Sequence, residues 1–386
     1  MGTIREAKYL IKDLKRAGYD AYIVGGAVRD HLLRMPINDI DITTSAKPHQ
    51  VQKTFKKTKP TGLKYGTVTV FVKDASYEVT TYRVDGTYSD GRHPEEVSFE
   101  ATAEDDVKRR DFTINGLLMD ETGLITDHVG GKPDLRARLI RTIGDPGSRF
   151  EEDRIRMLRA FYFQSKLGFD IERRTLEAIT AHAPSIKDVA MERMLDETIK
   201  ILKGDHLKKA VRNIVKTGMH KHLPGLEKGF EHVMTMDEMP FVDAFFTIAF
   251  ALEGDVPDVW PFSNRHRHRY KTASMLANTV TQYDARTLYT YGLDLCLLAN
   301  KTQFLLGKAP NMRRQIEEQM AALPIKSELD LAIRPMELVR ALDRKQGAWL
   351  SQLLKDMVLA VLDGTLENTK EALLDFAHMT SQPKEQ

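Results

Sequence analysis

The feature that most constrains this chain is a change of pattern between Ile143 and Arg149. Before it, short β-type runs recur at Ala21–Val24, Asn38–Thr43, Thr67–Val72 and Tyr77–Val84, interleaved with helical segments. Several of these runs alternate apolar and polar residues, the mark of half-buried strands. After it, strand signals become scarce and apolar residues fall at helical spacing. Ile155, Leu158 and Phe161 do so, as do Leu195, Ile199 and Leu202, and Trp349, Leu353, Met357 and Val361. The expected fold class is therefore an α+β head, a small β-sheet with helices, followed by an all-helical neck, body and tail. At about 150 residues per domain the length suggests two to three domains, or four small ones. The expected boundaries are 1–145 for the head, 146–210 for the neck, 211–300 for the body and 301–386 for the tail.

Composition narrows the function classes. Lys and Arg number 57 against 55 Asp and Glu, a net +2, so any nucleic-acid surface is a local patch and not a global field. A chain with 42% hydrophobic and 29% charged residues is not wholly disordered. The single cysteine, Cys296, excludes an internal disulfide and a cysteine-based zinc site, which fits a reducing compartment. The most apolar stretch, Ala244 to Leu252, falls far short of the ~18 residues of a membrane span. No secretory signal pattern is visible at the N-terminus, so the expected location is cytoplasmic, with no membrane partner.

The most informative tetrapeptide is Asp39-Ile40-Asp41-Ile42. On a strand both aspartates share one face while the isoleucines point to the core. Adjacent carboxylates repel unless a cation lies between them, and hard ions such as Mg²⁺ take oxygen ligands. Two such ions clamp the attacking and leaving oxygens of an in-line displacement. Alone, D-x-D is more often a solvated strand edge. Upstream, Gly25-Gly26 stands where a strand becomes a helix, and Arg29 lies one turn on. Glycines there let backbone N–H groups approach an anion, although a plain tight turn is the commoner meaning. Glu78, in the run Tyr77-Glu78-Val79-Thr80, is either a third carboxylate from a neighbouring strand or an exposed strand residue.

Taken in order, the motifs resemble those of class II tRNA nucleotidyltransferases, the CCA-adding enzymes. Gly25-Gly26-Ala-Val-Arg29-Asp30, Asp39-Ile-Asp41 and Glu78-Val-Thr-Thr-Tyr-Arg83 resemble the nucleotidyltransferase head. Arg109-Arg110-Asp111-Phe-Thr-Ile-Asn115 is similar to the RRDFTIN motif, and Asp127-His-Val-Gly-Gly131 with Asp134-Leu135 to the hinge segment. Glu152-Asp153-Arg-Ile-Arg156-Met-Leu-Arg159 resembles the EDxxRxLR base-holding motif, and Glu192-Arg193-Met194 with Glu197 the last motif of the neck. Leu323-Pro-Ile-Lys-Ser327 and Asp330-Leu-Ala-Ile333 resemble the bacillar type. The chain departs from the pattern at Tyr162, where the family usually has a further arginine, and at Gly116, Met194 and Glu328.

The resemblance implies template-independent addition and repair of the tRNA 3′-terminal CCA from CTP and ATP, with release of pyrophosphate. It implies Asp39 and Asp41 as Mg²⁺ ligands and, with Glu78, as the catalytic carboxylates. Gly26, Arg29, Arg110, Asp153, Arg156 and Arg159 become the nucleotide-binding residues. Relatives of this type are often homodimers. Hydrogen-bond chemistry agrees with the base assignment. Aspartate only accepts and arginine only donates. Cytosine and adenine each pair an exocyclic NH₂ with an unprotonated ring nitrogen, and uracil and guanine invert that pattern. Asp153 and Arg156, at i and i+3 of an expected helix, would share one face and read that edge. A solvated helix with a Glu152–Arg156 ion pair is the plainer reading of the same residues.

Basic clusters at Lys53-Lys56-Lys57-Lys59 and at Arg265, Arg267, Arg269 and Lys271 suit an RNA phosphate backbone, or are solvated faces. The loop Asp85–Pro94 is similar to the flexible loop of full CCA-adding enzymes. Three rivals share the scaffold: an A-adding tRNA nucleotidyltransferase, a bacterial poly(A) polymerase and a non-catalytic RNA- or nucleotide-binding protein. Gly62-Leu-Lys-Tyr-Gly66-Thr-Val68 lacks the basic run of the poly(A) type.

Overall fold

The structure is a computed structural model, and residues 2–85 and 97–381 are described. The chain divides into two compact units, Met1–Met239 with Asp258–Pro261, and Pro240–Pro257 with Phe262–Gln386.

The first unit opens on helix α1 (Ile4–Arg16), whose start is fixed by a capping box. Thr3 Oγ1 accepts from the Glu6 backbone N–H at 3.2 Å while Glu6 accepts in return from the Thr3 N–H at 3.3 Å. Its buried stripe, Ala7, Leu10, Ile11 and Leu14, packs on a seven-stranded sheet. The strands are β1 (Ala21–Val24), β2 (Asp41–Thr44), β3 (Thr58–Gly62), β4 (Thr67–Val72), β5 (Ala75–Thr81), β6 (Leu117–Met119) and β7 (Ile125–Asp127), in spatial order β3-β4-β5-β2-β1-β6-β7. All neighbours are antiparallel except β2 and β5, which run parallel. Alternation is clear in β5, where Ala75, Tyr77, Val79 and Thr81 are buried and Ser76 and Glu78 exposed.

Helix α2 (Gly26–Leu32) follows β1 directly, and α3 (Ala103–Lys108) starts from a Thr102 cap. The neck side is helical: α4 (Pro146–Glu152), α5 (Arg156–Leu167) and α6 (Met191–Leu202), with α5 packed on α6 through buried apolar residues such as Leu158, Phe161, Met194 and Ile201.

The second unit is all helical among the described residues. Its helix Val242–Glu253 is buried from Ala244 to Ala251, so the most apolar stretch of the chain is core. Cys296 lies in helix Ala285–Leu305, fully buried, and burial pushes its thiol up to about 11. Among the described residues no helix is long and apolar enough to cross a membrane.

Candidate active site

The parallel pairing of β2 and β5 sets Asp41 directly opposite Glu78. The strand expected from Asn38 begins only at Asp41, because its partner β1 ends at Val24, the residue paired with Asp41. Asp39 therefore lies just before the ladder, and strand alternation does not place it. It nevertheless lines, with Asp41, a cavity of about 510 Å³. Glu78 lines an adjoining recess of about 180 Å³ that shares Asp41, Arg109 and Arg110 with the first. Burial raises the Asp41 carboxyl above the usual range, Arg110 partly offsets this, and Asp39 adds to it. Glu78, although exposed on the face of β5, is likewise raised, by partial desolvation and then by Asp41 and Asp39. Like-charged, all-oxygen groups in mutual repulsion are the donor set of a hard divalent cation. Among the described residues the three do not bring their oxygens within 4.8 Å of one another; His220, Glu227 and Glu231 form the group that does.

A buried carboxylate organises the arginines beside them. Asp106, fully buried on α3, accepts from Arg109 Nε at 2.8 Å, from Arg110 Nη2 at 3.1 Å and from the Thr43 hydroxyl at 2.9 Å. Burial works against its charge, but the two arginines outweigh burial and its carboxyl stays below the usual range. Thr43 is on β2, so this network locks the arginine pair to the carboxylate strand.

Gly25 joins β1 to α2 with φ 76° and ψ −141°, a conformation that only glycine adopts without strain. A Cβ there would lie 3.4 Å from Arg110 Nη1 and 3.6 Å from Asp41 Oδ2. Arg29, expected to reach a bound phosphate, lines the same cavity but is buried. Its Nε donates to Asp30 at 2.7 Å and its Nη1 to the Asn115 side chain at 2.5 Å, and it lies over the Phe163 ring. Lys166 of α5 reaches Asp30 at 3.1 Å, tying the far end of α5 to α2.

The single helix expected through Glu152–Arg159 is broken. Helix α4 ends at Glu152, Asp153 is extended at φ −147° and ψ 101°, and α5 begins at Arg156. At the break Arg193 of α6 grips the Asp153 carboxylate with both terminal guanidinium nitrogens, at 3.0 and 2.8 Å. Asp153 and Arg156 thus meet at a corner between helices and not as i, i+3 neighbours on one face. Both still line the cavity, with Arg159. The Glu152–Arg156 ion pair does form, at 2.6 Å. Arg156 also donates to the carbonyls of Arg149 and Arg109, which leaves its Nε–H and one Nη2–H uncommitted. Arg159 donates through Nε and Nη2 to Asp111, at 2.8 and 2.6 Å. Burial disfavours the Arg159 charge, yet Asp111 and Glu197 overcome that and raise its pKa.

The first unit contains a match to the family described as "Poly A polymerase head domain" over residues 21–141, followed by "Probable RNA and SrmB- binding site of polymerase A" over 168–230. Residues 255–377 match a tRNA nucleotidyltransferase domain 2 family. The CCA-adding enzyme of Anoxybacillus flavithermus is 37% identical, with 99% of this chain and 98% of that protein covered. This chain belongs to the CCA-adding enzymes. The relative from Geobacillus stearothermophilus is also 37% identical, over 96% of this chain and 95% of its own length. The crystal structure of the Bacillus stearothermophilus CCA-adding enzyme in complex with CTP superposes with a TM-score of 0.83 at 33% identity, covering 98% of both chains. The bacillar resemblance read from the tail agrees with these relatives.

Within this CCA-adding enzyme several working side chains escaped sequence reasoning. Asp106 has no motif of its own and emerges only from the fold, while Arg193 was visible in the Glu192-Arg193-Met194 motif but its pairing with Asp153 was not. Arg109, Asp111 and Asn115 were visible in the RRDFTIN run, where only Arg110 was singled out. Lys200 lines the cavity from α6, and Tyr162 does so from α5. Of the basic clusters, Lys53, Lys56, Lys57 and Lys59 are exposed, whereas Arg269 is held by Asp243 at 3.1 Å and by Asp294. The loop residues 86–96, including most of Asp85–Pro94, lie outside the described residues.

Proposed function

We propose that this protein adds and repairs the 3′-terminal CCA of tRNA without a nucleic-acid template, using CTP and ATP. One observation carries the reading. The cavity beside the Asp41–Glu78 register is also lined by Asp39, Asp153, Arg156 and Arg159. Carboxylates for phosphoryl chemistry and a donor–acceptor pair for a base edge therefore share one space. The tRNA 3′-hydroxyl attacks the α-phosphorus, a new P–O bond forms, and the bond to pyrophosphate breaks. Asp39 and Asp41 would hold Mg²⁺, which supplies charge neutralisation at the attacking and leaving oxygens. Glu78 accepts the hydroxyl proton, a role that its raised affinity for protons supports. Arg109 and Arg110, oriented by Asp106, face the developing phosphate charge.

Asp153 accepts from the NH₂ of cytosine or adenine, and the free N–H groups of Arg156 donate to the ring nitrogen. Uracil and guanine set oxygen against carboxylate and N–H against guanidinium, and a bidentate contact is worth ~1–3 kcal/mol of discrimination. Within this reading the head, neck, body and tail divide at 1–145, 146–210, 211–300 and 301–386. The cytoplasm is the compartment in which such an enzyme meets tRNA, and a homodimer is its expected assembly. The test is direct. Incubate tRNA lacking its 3′ end with each triphosphate singly and with CTP plus ATP, then sequence the ends. Addition of CC from CTP alone and of CCA from the pair is expected; addition of UMP or GMP at comparable rates would overturn the proposal.

A further inference from the structure

The cavity's cations are not equally available. Arg29 is 3% exposed and committed to Asp30 and Asn115, and Arg156 is 9% exposed with most of its donors spent on protein acceptors. Arg109 and Arg110 share the buried Asp106, Arg159 is held by Asp111, and Lys166 is held by Asp30. Lys200 differs. Its side chain is 50% exposed, against 27% for Lys166 and 34% for Arg159, and it donates to Glu197 Oε1 at 2.8 Å. An ammonium has three donors, so two remain. The Nζ lies 6.0 Å from the Tyr162 ring centroid, within cation–π range. Tyr162 stands where the family pattern has an arginine, and both residues line the cavity.

Position along α5 indicates which part of a ligand this pair meets. Asp153 and Arg156 stand at the helix start. Ten residues on, Lys166 is bonded to Asp30 beside the glycine turn. Tyr162 lies between, about 9 Å along the axis from Arg156 at 1.5 Å per residue. A base read by Asp153 and Arg156 would therefore extend its sugar and phosphates past Tyr162 towards Gly25-Gly26. A compact, strongly hydrated ammonium on a flexible stem suits phosphate oxygens better than a base edge.

We propose that Lys200, steadied by the Tyr162 ring and by Glu197, contacts the triphosphate of the bound nucleotide. This rests on reading the cavity as the CTP and ATP site. A charge-assisted hydrogen bond of this kind corresponds to a roughly tenfold change in affinity.

The test measures dissociation constants of CTP and CMP for the full-length protein in magnesium buffer, comparing wild type with Lys200→Met, Lys200→Gln and Lys200→Arg. Expected is a roughly tenfold weaker CTP affinity for both neutral variants, unchanged CMP affinity, and near-complete recovery in Lys200→Arg. Thermal midpoints measured on the same samples show whether each variant is folded, and the two neutral replacements are independent of one another. An equal loss for CTP and CMP would mean that Lys200 acts only through Glu197 and Arg159, and would overturn the proposal. So would a CTP affinity within about twofold of wild type in a folded neutral variant. If the wild type itself fails to bind CTP, the reading of the cavity fails first, and that result is distinct from either of the others.

Discussion

If Asp153 reads the base, as proposed, the grip of Arg193 on it sets how sharply the enzyme tells its nucleotides apart, and Arg193→Met measures that contribution. Both Asp153 oxygens accept from the guanidinium, at 3.0 and 2.8 Å, and the two side chains are 24% and 17% exposed. Removing the arginine deletes two charge-assisted bonds in a partly solvated place, so the stability cost is modest, about 1 kcal/mol. The effect on selection is larger. The backbone of Asp153 is fixed as the cap of α4, its N–H donating to the Arg149 carbonyl at 3.3 Å. Among the described residues, however, its carboxylate accepts, apart from Arg193, only a long bond from the Ile155 N–H at 3.4 Å. Without Arg193 the carboxylate keeps only that long bond and can rotate out of the base plane, and the ~1–3 kcal/mol of a bidentate base contact is lost. Taking about 2 kcal/mol, the ratio of CMP to UMP incorporation falls roughly thirtyfold. Arg193→Lys recovers only part of it, because an ammonium lacks the planar, parallel pair of donors that matches both carboxylate oxygens. The assay is single-nucleotide extension of tRNA ending before the CCA, with kcat/KM measured for CTP and for UTP. If Arg193→Met keeps the wild-type ratio while its thermal midpoint drops, Asp153 is not held by Arg193 for base selection and the argument fails.

Other expectations follow from the same geometry. Asp41→Ala abolishes CMP and AMP addition alike while tRNA affinity by filter binding stays near wild type; residual addition in Mg²⁺ would end the metal assignment. Gly25→Ala forces a side chain into a positive-φ position beside Arg110 and Asp41, at about 1–3 kcal/mol of strain, and a urea titration with an extension assay should show both stability and kcat reduced. Asp106→Ala leaves Arg109 and Arg110 without their buried partner and costs about 3–5 kcal/mol, read by chemical denaturation. Asp106 and Asp111 have carboxyls held below their ordinary value of 3.8, so their stabilisation is present above that pH and is lost as pH falls further through their folded values. Denaturation midpoints at pH 7, 5 and 3.5 should therefore drop chiefly at the last step, and Asp106→Asn should flatten that drop.

The α+β head and helical remainder were legible because strand alternation and helical spacing are local patterns, and the motifs carried the carboxylates and the arginines that line the cavity. What escaped depends on partners distant in sequence. The start of β2 at Asp41 is set by where β1 stops, 17 residues upstream at Val24. The carboxylate at the Asp153 break is held by Arg193, 40 residues on. The sequence around Glu152–Arg159 reads as continuous helix because nothing local forbids one. Arg29 illustrates the converse: its position near the glycine turn was correct, but its guanidinium is held by Asp30 and Asn115, and Asn115 lies 86 residues away.

The parallel ladder between β2 and β5 also limits how this chain can diverge. Side chains alternate across a sheet, so deleting one residue inside β5 would turn Glu78 to the opposite side and bring an apolar neighbour level with Asp41. The excursion joining the two strands is restricted as well, since it carries β3 and β4, and β4 is paired with β5 so that Thr69 stands opposite Glu78. Descendants of this sequence can therefore change length at the turns between paired elements, while gaps within the paired strands would take Glu78 out of register with Asp41.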